Sequence, residues 1–556
     1  MPDIAELVRA RAAGGERFAL RFEDDTWTWI QFVDAATQRA AWLRAELDRD
    51  VPRHVGLLLD NVPEFAIWLG AAALTNDVLV GINPTRRGAE LERDICHTDC
   101  QAIVTERRHL PLLDELDLGP ANGRILVIDG DGYADALAPY EGARVPEAEI
   151  DPIAPYLLLF TSGTGGAPKA CIVSQGRLVR MSTGLTMMQQ LTHDDVMYCT
   201  MPLFHSNAII TSFGPWLISG AELVLRRRFS ASGFLPDVRK YSVTYFNYVG
   251  KPLSYILATL EQPDDANNTL VRVFGNEAAD LDIERFGTRF GCTVGDGYGS
   301  TEGGANINRM PEMPKGALGV GPDGTSIVNP DTGEDCPPAR FDDAGHLLNS
   351  DESIGEIVNK QGVPSFEGYY KNAEADAQRV HDGWYWTGDL GYRDKDGWFY
   401  FAGRDYEWLR VDGENFAAAP LERILARHPD VVLAAVYAVP DEVVGDQVMA
   451  ALQLKPGASF DAAGFDAFLA EQADLGTKWS PRYVRVVDSL PVTETQKILK
   501  RQLRNERWDV TVPNLPSKVW WRPANDEQLR PMTDADRSDL HARFEARGRT
   551  DQLERV

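Results

Sequence analysis

Nine consecutive residues, Thr161-Ser162-Gly163-Thr164-Gly165-Gly166-Ala167-Pro168-Lys169, combine hydroxyls, glycines and one lysine directly after the apolar run Tyr156-Leu157-Leu158-Leu159-Phe160. The run reads as a buried strand. Glycines let backbone N–H groups approach an anion and form a concave nest, hydroxyls add donors, and lysine adds a point charge. The combination suits phosphate binding. Arginine is the usual cation of this chain. Only 12 of its 56 basic residues are lysine, and Lys169 is the first. The segment is neither a Walker A loop nor a Rossmann fingerprint, and a surface turn is the bland alternative.

Downstream segments offer partners for the rest of a nucleotide. In Tyr298-Gly299-Ser300-Thr301-Glu302 an aromatic ring suits a base, a hydroxyl suits a phosphate, and a carboxylate suits Mg²⁺. Thr387-Gly388-Asp389 supplies a carboxylate for ribose hydroxyls. Gly403-Arg404 adds a cation, and Pro491-Val492-Thr493-Glu494-Thr495-Gln496-Lys497 places a second isolated lysine on a loop. Singly, Tyr298 could be core, Asp389 a turn former and Lys497 the start of a helix. Their joint occurrence over more than 300 residues argues for one nucleotide site.

These groups need a scaffold. The sequence predicts an amphipathic helix bearing Phe32, Ala36, Ala40, Leu43 and Leu47, strands at 54–59 and 78–82, and a helix at 63–74. Such alternation implies α/β architecture, with helix-covered sheets. Similar units recur at 198–225 and 243–299. Trp384-Tyr385-Trp386, Asp394-Lys395-Asp396-Gly397 and Trp398-Phe399-Tyr400-Phe401 predict a hairpin. A smaller α/β pattern follows, with strands at 433–439, 448–454 and 483–487. We divide the chain into a large domain at 1–403, a small one at 404–510 and a polar tail at 511–556.

With 556 residues and 44% hydrophobic content, the chain can bury a large core. A net charge of −27 disfavours nucleic acid and anionic lipid as partners. Six cysteines form no disulfide framework, and Cys96-His97-Thr98-Asp99-Cys100 lacks a second ligand cluster. The apolar stretch 65–74 is about half a bilayer span, and residues 1–11 lack the apolar core of a signal peptide. A soluble, cytoplasmic protein is expected.

Together the motifs resemble those of the acyl-adenylate-forming superfamily: acyl-CoA synthetases, non-ribosomal peptide adenylation domains and luciferases. The likeness covers roughly residues 5–508. A narrower similarity, to very-long-chain acyl-CoA synthetases or fatty acid transport proteins, rests on four stretches. They are Leu225-Arg226-Arg227-Arg228-Phe229-Ser230-Ala231-Ser232, Tyr245-Phe246-Asn247-Tyr248-Val249-Gly250, Gly275-Asn276, and Arg530-Pro531-Met532-Thr533. Kinship with actinobacterial ligases of steroid side-chain acids is also indicated.

The resemblance implies a large N-terminal adenylate-forming domain and a small mobile C-terminal domain. It also implies an ATP-dependent ligase that converts a hydrophobic carboxylic acid, fatty or steroidal, to its CoA thioester through acyl-AMP. Thr161, Ser162, Gly163, Thr164, Gly165 and Lys169 should hold the β- and γ-phosphates. Gly275, Asn276, Glu277, Tyr298 and Gly299 should border adenine, with Asp389 and Arg404 on the ribose. Thr301 should meet the α-phosphate, Glu302 should ligate Mg²⁺, and Lys497 should bridge carboxylate and α-phosphate. Glu407 takes the hinge position, and Gly413 lies on a turn that should face CoA. Arg226, Arg227 and Arg228 form the basic patch for the CoA 3′-phosphate, with a solvated strand end as the equal alternative. His205, Trp216 and Tyr248 are acyl-pocket candidates and equally plausible core residues.

Three positions depart from the family pattern: Gly165 for a threonine, Gln496 for a glycine, and Glu407 where aspartate is commoner. Two other readings stand beside the ligase: an acyl-AMP ligase serving a carrier protein, and a lipid-binding or uptake protein with vestigial motifs. Partners are the acid, ATP and CoA. A homodimer is compatible with the sequence but not specified by it.

Overall fold

The apolar run ahead of the phosphate loop forms strand Pro155–Thr161, which turns back as strand Lys169–Ser174. Thr161 pairs with Lys169, so the two strands that flank residues 162–167 run antiparallel. The computed structural model describes residues 2–146, 149–161, 168–310, 312–342, 347–362, 365–404, 408–411, 414–443, 446–472, 474–475, 478–493, 496–510, 517–523 and 528–554, with backbone alone at 351, 404, 408, 410, 414–417, 551 and 554. Ser162, Gly163, Thr164, Gly165, Glu407 and Gly413 lie outside the described residues, as does the Arg404 side chain.

Those two strands edge a six-stranded sheet ordered Ile125–Val127, Cys100–Thr105, His54–Leu58, Val78–Gly81, Pro155–Thr161, Lys169–Ser174. Its first five strands are parallel. An eight-stranded sheet holds Arg272–Asn276 between Tyr245–Val249 and Thr293–Tyr298, all parallel. Helices Trp29–Glu46 and Pro63–Thr75 contribute to the shared core, and Pro63–Thr75 is buried almost throughout. That burial explains the apolar stretch at 65–74. Among the described residues, no helix is long and apolar enough to cross a membrane. Phe32, Ala36, Ala40, Leu43 and Leu47 are all buried, as the stripe predicts.

The aromatic hairpin forms strands Trp384–Arg393 and Phe399–Arg404 in a third, antiparallel sheet. A five-stranded sheet then collects Val431–Pro440, Asp446–Leu454 and Tyr483–Val487. The architecture is thus α/β, with a large N-terminal part and a small C-terminal one. Composition set 511–556 apart as a tail, yet Ser517–Trp521 and Arg530–Pro531 complete the small sheet. Helix Asp534–Ala546 buries Leu540 and Phe544 in the same apolar cluster. Apolar residues scattered through this polar segment, among them Val519, Trp521, Met532, Leu540 and Phe544, carry the packing.

Candidate active site

Parallel sheets leave ligand crevices beyond the carboxyl ends of their strands, and the predicted residues gather there. Lys169 begins strand Lys169–Ser174. Its ammonium donates to Gln378 Oε1 (3.2 Å) and lies 5.4 Å from the centre of the Tyr369 ring. Burial, then the neighbouring Arg379, lower its pKa. The Tyr369 hydroxyl donates to Oε1 of the buried Glu302 (2.7 Å). Among the described residues, no protein donor reaches the second Glu302 oxygen. The preceding Thr301 shares a 2.7 Å hydrogen bond with Ser206. Beneath it, the fully buried Arg177 donates to the Thr301 carbonyl and to the Ile172 carbonyl (2.8 Å). A guanidinium fixed by two carbonyls locks the Thr301–Glu302 loop against the return strand.

The adenine candidates form the next wall. Gly275 sits directly opposite Tyr248 in the parallel ladder. A Cβ there would lie 2.3 Å from the Tyr248 carbonyl oxygen and 2.6 Å from its ring, so only glycine fits. Asn276 donates to the Gly297 carbonyl (2.5 Å) and accepts from Asn207 (3.3 Å). Glu277 follows in the left-handed region (φ 69°), and Gly299 continues from the neighbouring strand. The Tyr298 hydroxyl donates to the buried Asp389 (2.8 Å), tying the base candidate to the ribose candidate. Asp389 also pairs with Arg404 through the backbone.

Lys497 comes from the small C-terminal part. Its ammonium reaches across to Glu277 Oε1 at 2.6 Å. It also stands close enough to His205 to help lower that pKa to about 3, burial being the larger cause even though the ring keeps some accessible surface. A neutral imidazole therefore persists throughout the physiological range. His205 precedes Ser206, the partner of Thr301. A run of contacts thus links Lys169 through Tyr369 to Glu302, and Thr301 through Ser206 to His205 and Lys497.

The described residues on either side of 494–495 are tied to each other. Val492 bridges Ile498, Thr493 N–H donates to the Lys497 carbonyl (2.8 Å), and Gln496 N–H donates to the Thr493 carbonyl (2.9 Å). Gln496, where the family pattern has glycine, is left-handed (φ 61°). Replacing it with glycine relieves about 1–2 kcal/mol of strain, offset by about 0.5–1 kcal/mol from a freer unfolded chain. A small net stabilisation is therefore expected, read as a higher Tm of the purified protein.

Two acyl-pocket candidates are corrected. Trp216 has no exposed surface, stacks on Trp29 (4.7 Å) and donates to the Ala19 carbonyl (2.8 Å). Tyr248 is equally buried, and its hydroxyl donates to Asp296 (2.6 Å). Both are packed in the core, the alternative that the sequence left open for them. His205 alone of the three stays beside Lys497.

Asp296 supplies a pH test. Burial pushes its pKa up to about 7, against donation from Tyr248 and the Ala278 N–H. The folded protein therefore holds a proton that the unfolded chain releases near pH 4. Its contribution to stability falls as pH rises from about 4 to about 7. Asp296→Asn is expected to flatten that part of a plot of stability against pH, measured by chemical denaturation.

The arginine run is also corrected. Arg226 pairs with Asp237 (3.0 Å), and Arg227 pairs with Glu106 and with Asp60 (3.3 Å). Arg228, more exposed, lies 3.8 Å from Asp60. Burial alone would raise Asp60, but His109, Arg108 and Arg227 hold it at about 2. Two of the three arginines are therefore committed to carboxylates of this chain, and Arg228 remains the exposed one. The same cations occupy the Asp60–Glu106–His109 cluster, whose ligand atoms lie within 4.8 Å of one another.

Sequence reasoning missed Ser206, Asn207, Tyr369, Gln378 and Arg177. Ser206 adjoins His205, and Tyr369 follows Gly368, but neither carries a local signal for its partner. Their roles arise from contacts between distant segments.

A fold of helix-covered sheets with an added small sheet, in which Lys169 and Lys497 come from separate parts, agrees with the class that the family match shows, an adenylate-forming enzyme. The AMP-binding enzyme family profile matches residues 8–370, and its AMP-binding enzyme C-terminal domain matches 420–497. The chain belongs to this family and is an AMP-forming acyl-CoA ligase by type. It is 48% identical over 538 residues to steroid-22-oyl-CoA synthetase of Rhodococcus jostii (strain RHA1), covering 96% of each chain. It is 47% identical over 505 residues to medium/long-chain-fatty-acid–CoA ligase FadD17 of Mycobacterium tuberculosis (strain ATCC 25618 / H37Rv), covering 91% of this chain and 96% of the relative. The crystal structure of the anthranilate CoA ligase AuaEII with anthranoyl-AMP shares the fold, with TM-score 0.79, 22% identity, and coverage of 90% and 96%.

Proposed function

We propose that the chain activates a hydrophobic carboxylic acid, a steroid side-chain acid or a medium- to long-chain fatty acid, as its CoA thioester in the cytoplasm. A carboxylate oxygen attacks the α-phosphorus of ATP and pyrophosphate leaves. The CoA sulfur then attacks the acyl carbonyl carbon and AMP leaves. No enzyme nucleophile is needed, so positioning and charge stabilisation carry the catalysis. The observation that supports this reading is the run of contacts that links Lys169, Tyr369 and Glu302 to Thr301, Ser206 and, across from the small C-terminal part, Lys497 beside His205 and Glu277.

In this reading the segment 161–169 holds the β- and γ-phosphates, and Asn276 and Tyr298 border adenine. Asp389 and Arg404 take the ribose, Thr301 the α-phosphate. Lys497 bridges the reacting carboxylate and α-phosphate. Its contact with Glu277 suits the adenylation step. The buried Glu302, with one oxygen held by Tyr369, fits a hard cation. Mg²⁺ held there would neutralise phosphate charge. His205 flanks the acyl group as a neutral ring. Glu407 is the hinge about which residues 404–510, with the added strands at 517–531, turn to admit CoA beside Gly413.

A panel of steroid side-chain acids and fatty acids, each with ATP and with or without CoA, tests the reading. The expected result is pyrophosphate release with thioester formation on free CoA. Adenylate that never passes to CoA would favour carrier delivery, and no pyrophosphate release with any acid would overturn the chemistry.

A further inference from the structure

We propose that Arg379 is a second polyphosphate-binding cation of this site, holding the diphosphate portion of ATP and then pyrophosphate beside Lys169. The inference rests on the ATP-dependent reading above. Arg379 ends helix Ala373–Arg379, outside every motif that carries the family resemblance. The preceding Gln378 accepts a hydrogen bond from Lys169 Nζ (3.2 Å), so the helix end and the lysine share one place. The Arg379 guanidinium crosses the turn of Thr387-Gly388-Asp389. It donates to the Trp386 carbonyl (3.4 Å) from Nη1, and a Cβ on Gly388 would stand 2.5 Å from that atom. Gly388 is also left-handed (φ 71°), so glycine here serves both the turn and the passage of the arginine.

The charges around the group explain what it is for. Arg379 and Lys169 flank Tyr369, whose hydroxyl is committed to Glu302. Among the described residues, no carboxylate lies within ion-pair distance of Arg379. Asp376, on the same helix, is spent on the Tyr369 amide (2.7 Å), and Glu374 is exposed. Glu302 acts on both cations, and Asp376 and Glu374 act on Lys169 from further off, yet burial and Arg379 outweigh all three at Lys169, because like charges held together disfavour each other. Arg379 is accordingly the second-ranked cause of the lowered Lys169 pKa. An anion with several oxygens removes that repulsion. Diphosphate matches a forked guanidinium beside a point-charge ammonium, and the position joins Lys169 to the ribose candidate Asp389.

Direct binding separates this role from packing. Titrations of wild type, Arg379→Gln and Arg379→Lys with magnesium pyrophosphate, with ATP and with AMP are compared, together with Tm. Arg379→Gln is expected to weaken pyrophosphate and ATP by about 10- to 100-fold with AMP binding nearly unchanged, and Arg379→Lys should recover part of the loss. Unchanged pyrophosphate binding in Arg379→Gln overturns the proposal. So does a parallel loss of pyrophosphate and AMP with a lowered Tm, which assigns Arg379 to packing over Gly388. Wild-type protein that binds neither ATP nor pyrophosphate overturns the nucleotide reading itself, and this inference with it.

Discussion

Lys497→Ala is expected to slow acyl-AMP formation by about 10²-fold or more, while thioester formation from synthetic acyl-AMP and CoA stays nearly unchanged. The ammonium lies 2.6 Å from Glu277 and beside His205, whose neighbour Ser206 is hydrogen-bonded to Thr301. Negative charge gathers on the α-phosphate as the carboxylate attacks, and a fixed cation there stabilises the transition state more than the ground state. The second half-reaction breaks the acyl–phosphate anhydride and needs a route for CoA instead. Acid-dependent pyrophosphate exchange reads the first step, and CoA consumption from synthetic acyl-AMP reads the second. Equal loss in both assays would show that Lys497 supports the fold or the lobe contact, not the adenylation chemistry. Lys497→Arg keeps the charge with a different shape and should recover only part of the rate.

Trp216→Ala is expected to destabilise the protein by about 3–5 kcal/mol without altering preference among acids. Trp216 has no exposed surface. Its ring meets Trp29 at 4.7 Å, Phe32 at 4.8 Å and Phe213 at 5.9 Å, and its indole N–H satisfies the Ala19 carbonyl. Truncation leaves a large cavity among aromatic rings and strips a buried carbonyl of its donor. Denaturant unfolding measures the loss, and the acid panel measures preference in the fraction that stays folded. A shift in the preferred acid at unchanged stability would return Trp216 to the acyl pocket. The milder Trp216→Phe variant keeps most of the ring contacts and guards against a failure to fold.

Elements with a strong local signal were legible from the chain. The strand before residue 161, the helix over 63–75, the aromatic hairpin at 384–404 and strand Tyr483–Val487 all form where apolar periodicity and turn residues put them. The small sheet was harder. Its last two strands lie in a polar segment whose scattered apolar side chains only become a pattern once they face Tyr483 and Val487.

The candidate site divides in the same way. Lys169, Thr301, Glu302, Asp389 and Lys497 announce themselves because hydroxyls, glycines and isolated charges at turn positions are chemistry written into adjacent residues. What each charge is worth depends on partners that spacing does not reveal. The tertiary structure spends Arg226 and Arg227 on Asp237, Asp60 and Glu106, and it buries Trp216 and Tyr248 in the core. It also brings Arg379 to Lys169 across the open side of Gly388. Sequence alone determined which groups could do chemistry. Folding decided which of them stay charged, accessible and near one another, because neutralisation and desolvation are set by neighbours hundreds of residues away.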